Sequence, residues 1–106
     1  MVKAIRIVRI SKEEAMRRLG DVPEDKRFWS HDGKVIKSLR ELGTALNNMS
    51  DETFGYHSSD GKADFSKWVR DVVGETQLAD DLAKVGTRTR AGRAVAQKVS
   101  FLESRM

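Results

Sequence analysis

The sequence predicts a mainly α fold (α+β at most), built as a compact bundle of five or six short helices with a small N-terminal β-strand or hairpin element. Apolar residues recur at helical spacing in several stretches. Helix-capping residues precede most of these stretches, and β signals are confined to the first third of the chain. The 106 residues match one typical domain, 1–106, with a basic strand and helix over 1–22 and a helical core over 23–106.

The first 22 residues are predicted to form a strand followed by a helix. The stretch from Lys3 to Ile10 is rich in β-branched residues, which is typical of a strand. Ser11 and Glu14 then form an S-x-x-E capping box, which indicates that a helix begins there. Gly20 follows the apolar face of this helix and predicts its end.

A hairpin is predicted around Asp32 and Gly33, because an Asp-Gly pair between two short strand-like runs favours a tight turn. Phe28 and Trp29 alternate on the first run, so one of them should face outward. An exposed Trp29 close to basic residues could stack on a nucleic-acid base. The commoner outcome, and the one we favour from sequence, is that Trp29 packs against a neighbouring helix.

Three helices are predicted over residues 38–74. Ser38 with Glu41, and Ser50, cap the first two, and Asp64 is predicted to cap the third, which ends at Gly74. The first presents leucines at helical spacing, and the second carries Phe54 and Tyr56. The third has a full core stripe: Phe65, Trp68, Val69, Val72 and Val73.

The last two helices resemble a helix-turn-helix in outline. One carries leucines up to Gly86, and the next begins near Thr87 or Thr89. The second would present Arg88, Arg90 and Arg93 near its N-terminal end, where a recognition helix contacts DNA. The alternative is that these arginines form the charged solvent face of an amphipathic terminal helix, which is the commoner case.

Charge is distributed unevenly along the chain. Residues 1–20 carry six basic and two acidic side chains, residues 21–85 carry nine and thirteen, and residues 86–106 carry five and one. Two basic ends flanking an acidic middle suggest contact with nucleic acid. Within the first end, Lys3, Arg6 and Arg9 could track phosphates. They could equally protect a sheet edge from aggregation.

Several classes of protein are disfavoured by composition. The chain has no cysteine, which excludes disulfides, thiol catalysis and cysteine-containing zinc sites. This is compatible with the cytoplasmic location that we expect. No apolar run approaches the roughly 20 residues that a membrane-spanning helix needs. No secretory h-region is evident either, so we expect no membrane association.

The densest group of polar side chains is the set Tyr56, His57, Asp60 and Asp64. A histidine with two carboxylates could bind a metal or support acid–base chemistry. The favoured interpretation is a structural network, with His57 at a helix C-terminus and Asp64 as a helix cap. The sequence has no HExxH motif, glycine-rich phosphate loop or nucleophile elbow. We therefore expect no catalytic residue, no metal and no cofactor.

Three stretches carry a family resemblance: FWSHDGKVIKSLREL, MSDETFGYH and ADFSKWVRDVVGE. They resemble a domain-of-unknown-function family of archaea and some bacteria with the pattern DGxxxxSLxEL, MSDExFxYH and DFSxWVRDVxG. The resemblance implies a helical domain with a feature around Tyr56, His57, Asp64 and Trp68, and it brings no known activity. Ser59 and Ala63 stand where members tend to have asparagine, so a polar site formed by those asparagines would be altered here.

Taken together, the sequence predicts a small, non-enzymatic, basic module that associates with nucleic acid (DNA, RNA or the ribosome) through phosphate contacts. The first alternative is a protein–protein adaptor that uses the acidic middle or an exposed Trp29. The second alternative is a metal or catalytic site around His57.

Overall fold

The computed structural model describes residues 10–59 and 61–106, and the mainly α prediction is confirmed there. Within these two ranges, a two-stranded antiparallel hairpin accompanies six helices. The helices are α1 (Lys12–Leu19), α2 (Leu39–Asn48), α3 (Asp51–Ser58), α4 (Asp64–Trp68), α5 (Thr76–Lys84) and α6 (Arg88–Glu103). The strands are β1 (Phe28–Trp29) and β2 (Val35–Ile36), preceded by a 3₁₀ turn, Glu24–Lys26.

Side-chain caps hold the N-termini of four helices. Ser11, Ser38 and Ser50 each accept a hydrogen bond from the backbone N–H three residues later, as the sequence predicts. Thr87 does the same for α6. Each cap satisfies one of the N–H groups that a helix terminus leaves without a partner, which is why these helices begin where they do.

The hairpin forms around the predicted Asp-Gly turn. Phe28 pairs with Ile36, and Trp29 pairs with Val35. Gly33 has a φ of 92°, a left-handed conformation that glycine adopts without steric cost. Because side chains alternate along a strand, one cross-strand pair is buried (Phe28 and Ile36), and the other (Trp29 and Val35) is exposed.

The predicted helix over 64–74 is present, but it changes type halfway. After α4 the chain continues as one π-helical turn, Val69–Val73, in which the N–H of Gly74 donates to the carbonyl of Val69 at 2.9 Å. Four residues of the predicted stripe are buried, and Val72 is only partly so. Gly74 ends the segment with a φ of 83°, as its position in the sequence predicts.

The core lies where α6 packs against α2, with α1 against α6 and α4 against α5. Glycines let α2 and α6 approach closely. A Cβ atom on Gly43 would lie 3.3 Å from a Val95 methyl group, and one on Gly92 would lie 2.8 Å from the Asn47 side-chain oxygen. The fully buried side chains of this core include Leu39, Leu42, Leu46, Val69, Leu78, Val95 and Leu102.

The predicted N-terminal strand lies outside the described residues, apart from Ile10, which packs partly buried against the core. In the ranges 10–59 and 61–106, no helix has the length and the apolar character that crossing a bilayer requires.

Candidate functional site

His57 is the most enclosed titratable side chain of the predicted polar cluster. It lies in the last turn of α3, with its side chain 6% exposed. The ring meets Phe28 of the hairpin and Phe65 of α4 edge-on, with centroids 5.0 and 5.2 Å away. A ring surrounded in this way lies in a poorly hydrated position, where every polar atom needs a partner.

Both ring nitrogens of His57 have protein partners. The backbone N–H of His31 donates to Nε2 at 3.0 Å, so Nε2 must be unprotonated. The ring proton then belongs to Nδ1, which donates to a carboxylate oxygen of Asp64 at 2.9 Å. His57 is therefore a neutral imidazole of one tautomer, and it joins the hairpin, α3 and α4.

This arrangement favours the structural interpretation of the polar cluster over a catalytic one. A general base needs a nitrogen that can reach a substrate, and both nitrogens of His57 are occupied by the protein itself. No group of three or more histidine, aspartate or glutamate side chains able to hold a metal occurs among the described residues. Asp60, the remaining carboxylate of the predicted cluster, lies outside them.

The predicted helix cap at Asp64 is wrong. Asp64 is the first residue of α4, and Ala63 occupies the cap position without a side-chain hydrogen bond. The Asp64 carboxylate turns back to His57 instead. The helix start is still compatible with an acidic residue there, because negative charge is favoured in the first turn.

Beside this buried network lies an exposed pair of rings, His31 and Tyr56, which we call the aromatic surface. The rings of His31 and Tyr56 stack with centroids 3.9 Å apart and an interplanar angle of 15°. The Lys62 ammonium lies over the Tyr56 ring, 3.9 Å from its centroid.

Trp29, two residues before His31, is 71% exposed. The sequence-based expectation that Trp29 packs against a helix is therefore wrong, because the strand register places Phe28 on the buried face.

Arg88, one of the predicted nucleic-acid contacts, is held by the protein. Its guanidinium donates to the carbonyls of Leu46 and Asn47, in the last turn of α2, at 2.7 and 3.2 Å. It also forms an ion pair with Asp51 at 3.0 Å. Arg88 thus satisfies carbonyl groups that the end of α2 leaves without helical partners, so its guanidinium is not free to bind a phosphate.

Arg90 and Arg93 form a second surface, which we call the arginine face. Both are exposed, and helical spacing places them opposite the buried Val95. Neither forms an ion pair with a carboxylate in the described ranges, whereas Arg17, Arg18, Arg40, Arg70 and Arg88 all do. The other predicted phosphate contacts, Lys3, Arg6 and Arg9, lie outside the described residues and stay predictions.

Sequence reasoning missed one buried acidic residue, Glu75, whose side chain is 3% exposed. It accepts a hydrogen bond from Arg18 of α1 at 2.7 Å, and the Lys98 ammonium of α6 lies 3.6 Å away. Glu75 thus joins the two basic ends of the chain through one carboxylate. Nothing local marks it in the sequence, because its partners are 57 and 23 positions away.

No family model, curated protein or solved structure matches this chain.

Proposed function

We propose that this protein is a small, non-enzymatic module that binds nucleic acid through phosphate contacts. The observation that carries the proposal is the arginine face. Arg90 and Arg93 stand one helical turn apart on the solvent side of α6, with no carboxylate of the described chain paired to either. Like charges at this spacing repel each other, and a phosphate group between them removes that cost. Guanidinium groups also match phosphate oxygens in bidentate geometry.

The packing of the chain supports the same proposal. Helix α1, from the first basic end, packs against α6, from the second. The basic side chains of α1, Arg17 and Arg18 among them, therefore lie on an element that neighbours α6. Glu75 neutralises part of the positive charge on these two helices, because it forms ion pairs with Arg18 and Lys98. The arginine face lies outside that ion-pair cluster.

A protein–protein adaptor is the second candidate function. The observation that favours it is Trp29, a large aromatic side chain that is 71% exposed beside the 39% exposed Val35. Exposed tryptophan is enriched among the residues that dominate protein interfaces. The affinity for nucleic acid should depend strongly on ionic strength, whereas the affinity for an apolar protein partner should not. This difference distinguishes the two candidate functions.

The salt dependence of binding tests the proposal. Fluorescence anisotropy with a labelled duplex and a labelled single strand, each in a salt series from about 50 to 200 mM, gives the slope of log affinity against log salt. The double variant Arg90→Ala/Arg93→Ala should reduce the magnitude of that slope by about two units if each arginine neutralises one phosphate.

The matched control is Lys67→Ala/Arg70→Ala. These two residues are also basic, exposed and three positions apart, and they lie on α4 and the π-helical turn. This control removes the same formal charge, so it should leave the slope close to that of the parent. Equal slopes for the parent and the Arg90/Arg93 variant would contradict the proposal, as would the absence of binding at about 50 mM salt. The second result would favour the adaptor.

A further inference from the structure

A groove of about 450 Å³ lies between β2 and α2, and neither Arg90 nor Arg93 lines it. Its apolar lining comes from both elements and from the residue that ends α2: Val35, Ile36, Ala45 and Met49. Val35 is 39% exposed, so part of this apolar surface is accessible to a ligand.

One edge of β2 is open beside this groove. The backbone N–H of Ser30 donates to the carbonyl of Lys34 at 2.9 Å, so the ladder with β1 runs through Lys34 and, two residues later, through Ile36. Val35 lies between them, and its own N–H and C=O therefore point away from β1. Neither group forms a hydrogen bond with another element in the ranges 10–59 and 61–106.

The backbone of Lys37 shows which way this open edge faces. Its N–H donates to a carboxylate oxygen of Glu41 at 3.0 Å, and its carbonyl accepts from the N–H of Val22 at 2.8 Å. Backbone groups two residues apart in a strand point to the same side. Those of Val35 therefore point to the side of Glu41, which lines the groove. Free N–H and C=O groups on a strand edge are a template for pairing with another extended chain.

Glu41 makes one end of the groove negative. It lies where β2 leads into α2, and its carboxylate forms no ion pair with a described residue. The two nearest cations in sequence are already paired, Lys37 with Asp21 and Arg40 with Glu103. A ligand that brings a positive charge to this end would therefore gain an ion pair.

The other end of the groove, at the hairpin turn, is close to neutral because Asp32 and Lys34 both line it. The backbone N–H of Lys34 donates to the Asp32 carboxylate at 3.1 Å, which lowers the pKa of Asp32 and keeps it ionised at neutral pH. Two carboxylates and one ammonium give the lining of the groove a net charge of −1. This charge repels a phosphate and favours a cationic ligand.

From these observations we propose that the groove binds an extended segment of a partner protein, which pairs with β2 at Val35 and directs a lysine or arginine toward Glu41. This goes beyond the proposed function, because it assigns a second site to a different class of ligand. In strand addition, backbone hydrogen bonds supply affinity, and pockets for alternate side chains supply specificity. An apolar side chain of the segment would lie against Ala45 and Met49.

The test uses a fluorescein-labelled peptide with the sequence TKVTVKT, capped at both ends, and measures its affinity by fluorescence anisotropy. We expect it to bind at least about fivefold more tightly than the acidic peptide TEVTVET, because the acidic peptide replaces an attraction with a repulsion. A third peptide has the basic sequence with N-methyl groups on both valines and on the central threonine. It should not bind detectably, because it lacks the backbone donors that strand addition needs.

Two variants place the peptide in the groove. Thr44→Arg puts a long cationic side chain on an exposed position that lines the groove, and it should weaken binding of the basic peptide at least about tenfold. Glu41→Gln should weaken it by about 1.5- to 5-fold, the range for one exposed ion pair. Glutamine can still accept the hydrogen bond from Lys37, so the start of α2 is preserved.

Ser100→Arg is the matched control. It adds the same charge at another exposed helical position, which does not line the groove, so its affinity should equal that of the parent. Arg90→Ala/Arg93→Ala should also leave peptide binding unchanged, because the two sites are separate.

Four results would overturn the proposal: no binding of the basic peptide at about 1 mM, equal affinity for the basic and acidic peptides, full affinity of the N-methylated peptide, or equal losses in Thr44→Arg and Ser100→Arg. None of them bears on the salt-dependent binding of nucleic acid, so the two proposals succeed or fail separately.

Discussion

At the scale of single residues, the two tryptophans show how position determines the role of one side-chain type. Trp68 lies on the buried stripe of α4, where it is 7% exposed and donates its indole N–H to the carbonyl of Lys26 at 2.8 Å. Trp29 is 71% exposed on the outer face of the hairpin. The helical spacing around Trp68 predicts its burial. A two-residue strand has too little alternation to tell which of Phe28 and Trp29 faces the core.

Alanine variants of the two tryptophans test whether Trp68 is part of the core and Trp29 is not. Trp68→Ala should lower the free energy of unfolding by about 3–5 kcal/mol, because it opens a cavity and removes a buried hydrogen bond. Trp29→Ala should change it by less than about 0.5 kcal/mol, as expected for an exposed side chain. Urea unfolding followed by circular dichroism measures both. A large loss for Trp29→Ala, or a negligible one for Trp68→Ala, would show that the two roles are misassigned.

At the scale of secondary structure, the elements with local signals were predictable, and those that depend on tertiary contacts were not. Ser11, Ser38 and Ser50 cap the helices that they precede in sequence, and Gly33 and Gly74 adopt the positive φ that their turns need. The π-helical turn after Trp68 has no comparable signal. The predicted Asp64 cap was wrong because Asp64 is the first residue inside the helix, and its carboxylate accepts a hydrogen bond from His57 on another helix.

Helix α1 carries an acid-sensitive contact of its own. Side-chain hydrogen bonds from Arg17 and Arg18 lower the pKa of Glu14 from its usual 4.5 to about 2. A carboxylate whose folded pKa is lowered contributes its stabilisation fully above the unfolded pKa, and loses it as the pH falls through the folded pKa. The stabilisation from Glu14 should therefore disappear between about pH 4.5 and pH 2.

Glu14→Gln tests this contribution. The variant should be less stable than the parent near neutral pH, and the difference between the two should shrink as the pH is lowered through that window. Glu13→Gln is the control, because Glu13 precedes Glu14 on the same helix, is exposed and forms no ion pair with a described residue. Thermal melts across the pH range give both curves. A constant difference between Glu14→Gln and the parent would contradict this account.

At the scale of the whole molecule, contacts between residues far apart in sequence determine which charged and aromatic groups remain free. These contacts could not be predicted from the sequence. Arg88 was indistinguishable from Arg90 and Arg93 in the sequence, yet it is bound to the end of α2. Glu75 removes cations from both basic ends. The arginine face and the aromatic surface are among the groups that stay exposed after these pairings.

The position of the ligand on the protein is the most direct test of the central claim, that nucleic acid binds through phosphate contacts with the arginine face. Two-dimensional ¹H–¹⁵N NMR spectra of the labelled full chain, titrated with a thymidine oligonucleotide of about eight residues, locate the contact. We predict the largest shifts at the amides of Arg90 and Arg93, with those of Lys67 and Arg70 unchanged. Shifts confined to the separate groove between β2 and α2, where Val35 and Thr44 lie, or no shifts at all, would contradict the claim.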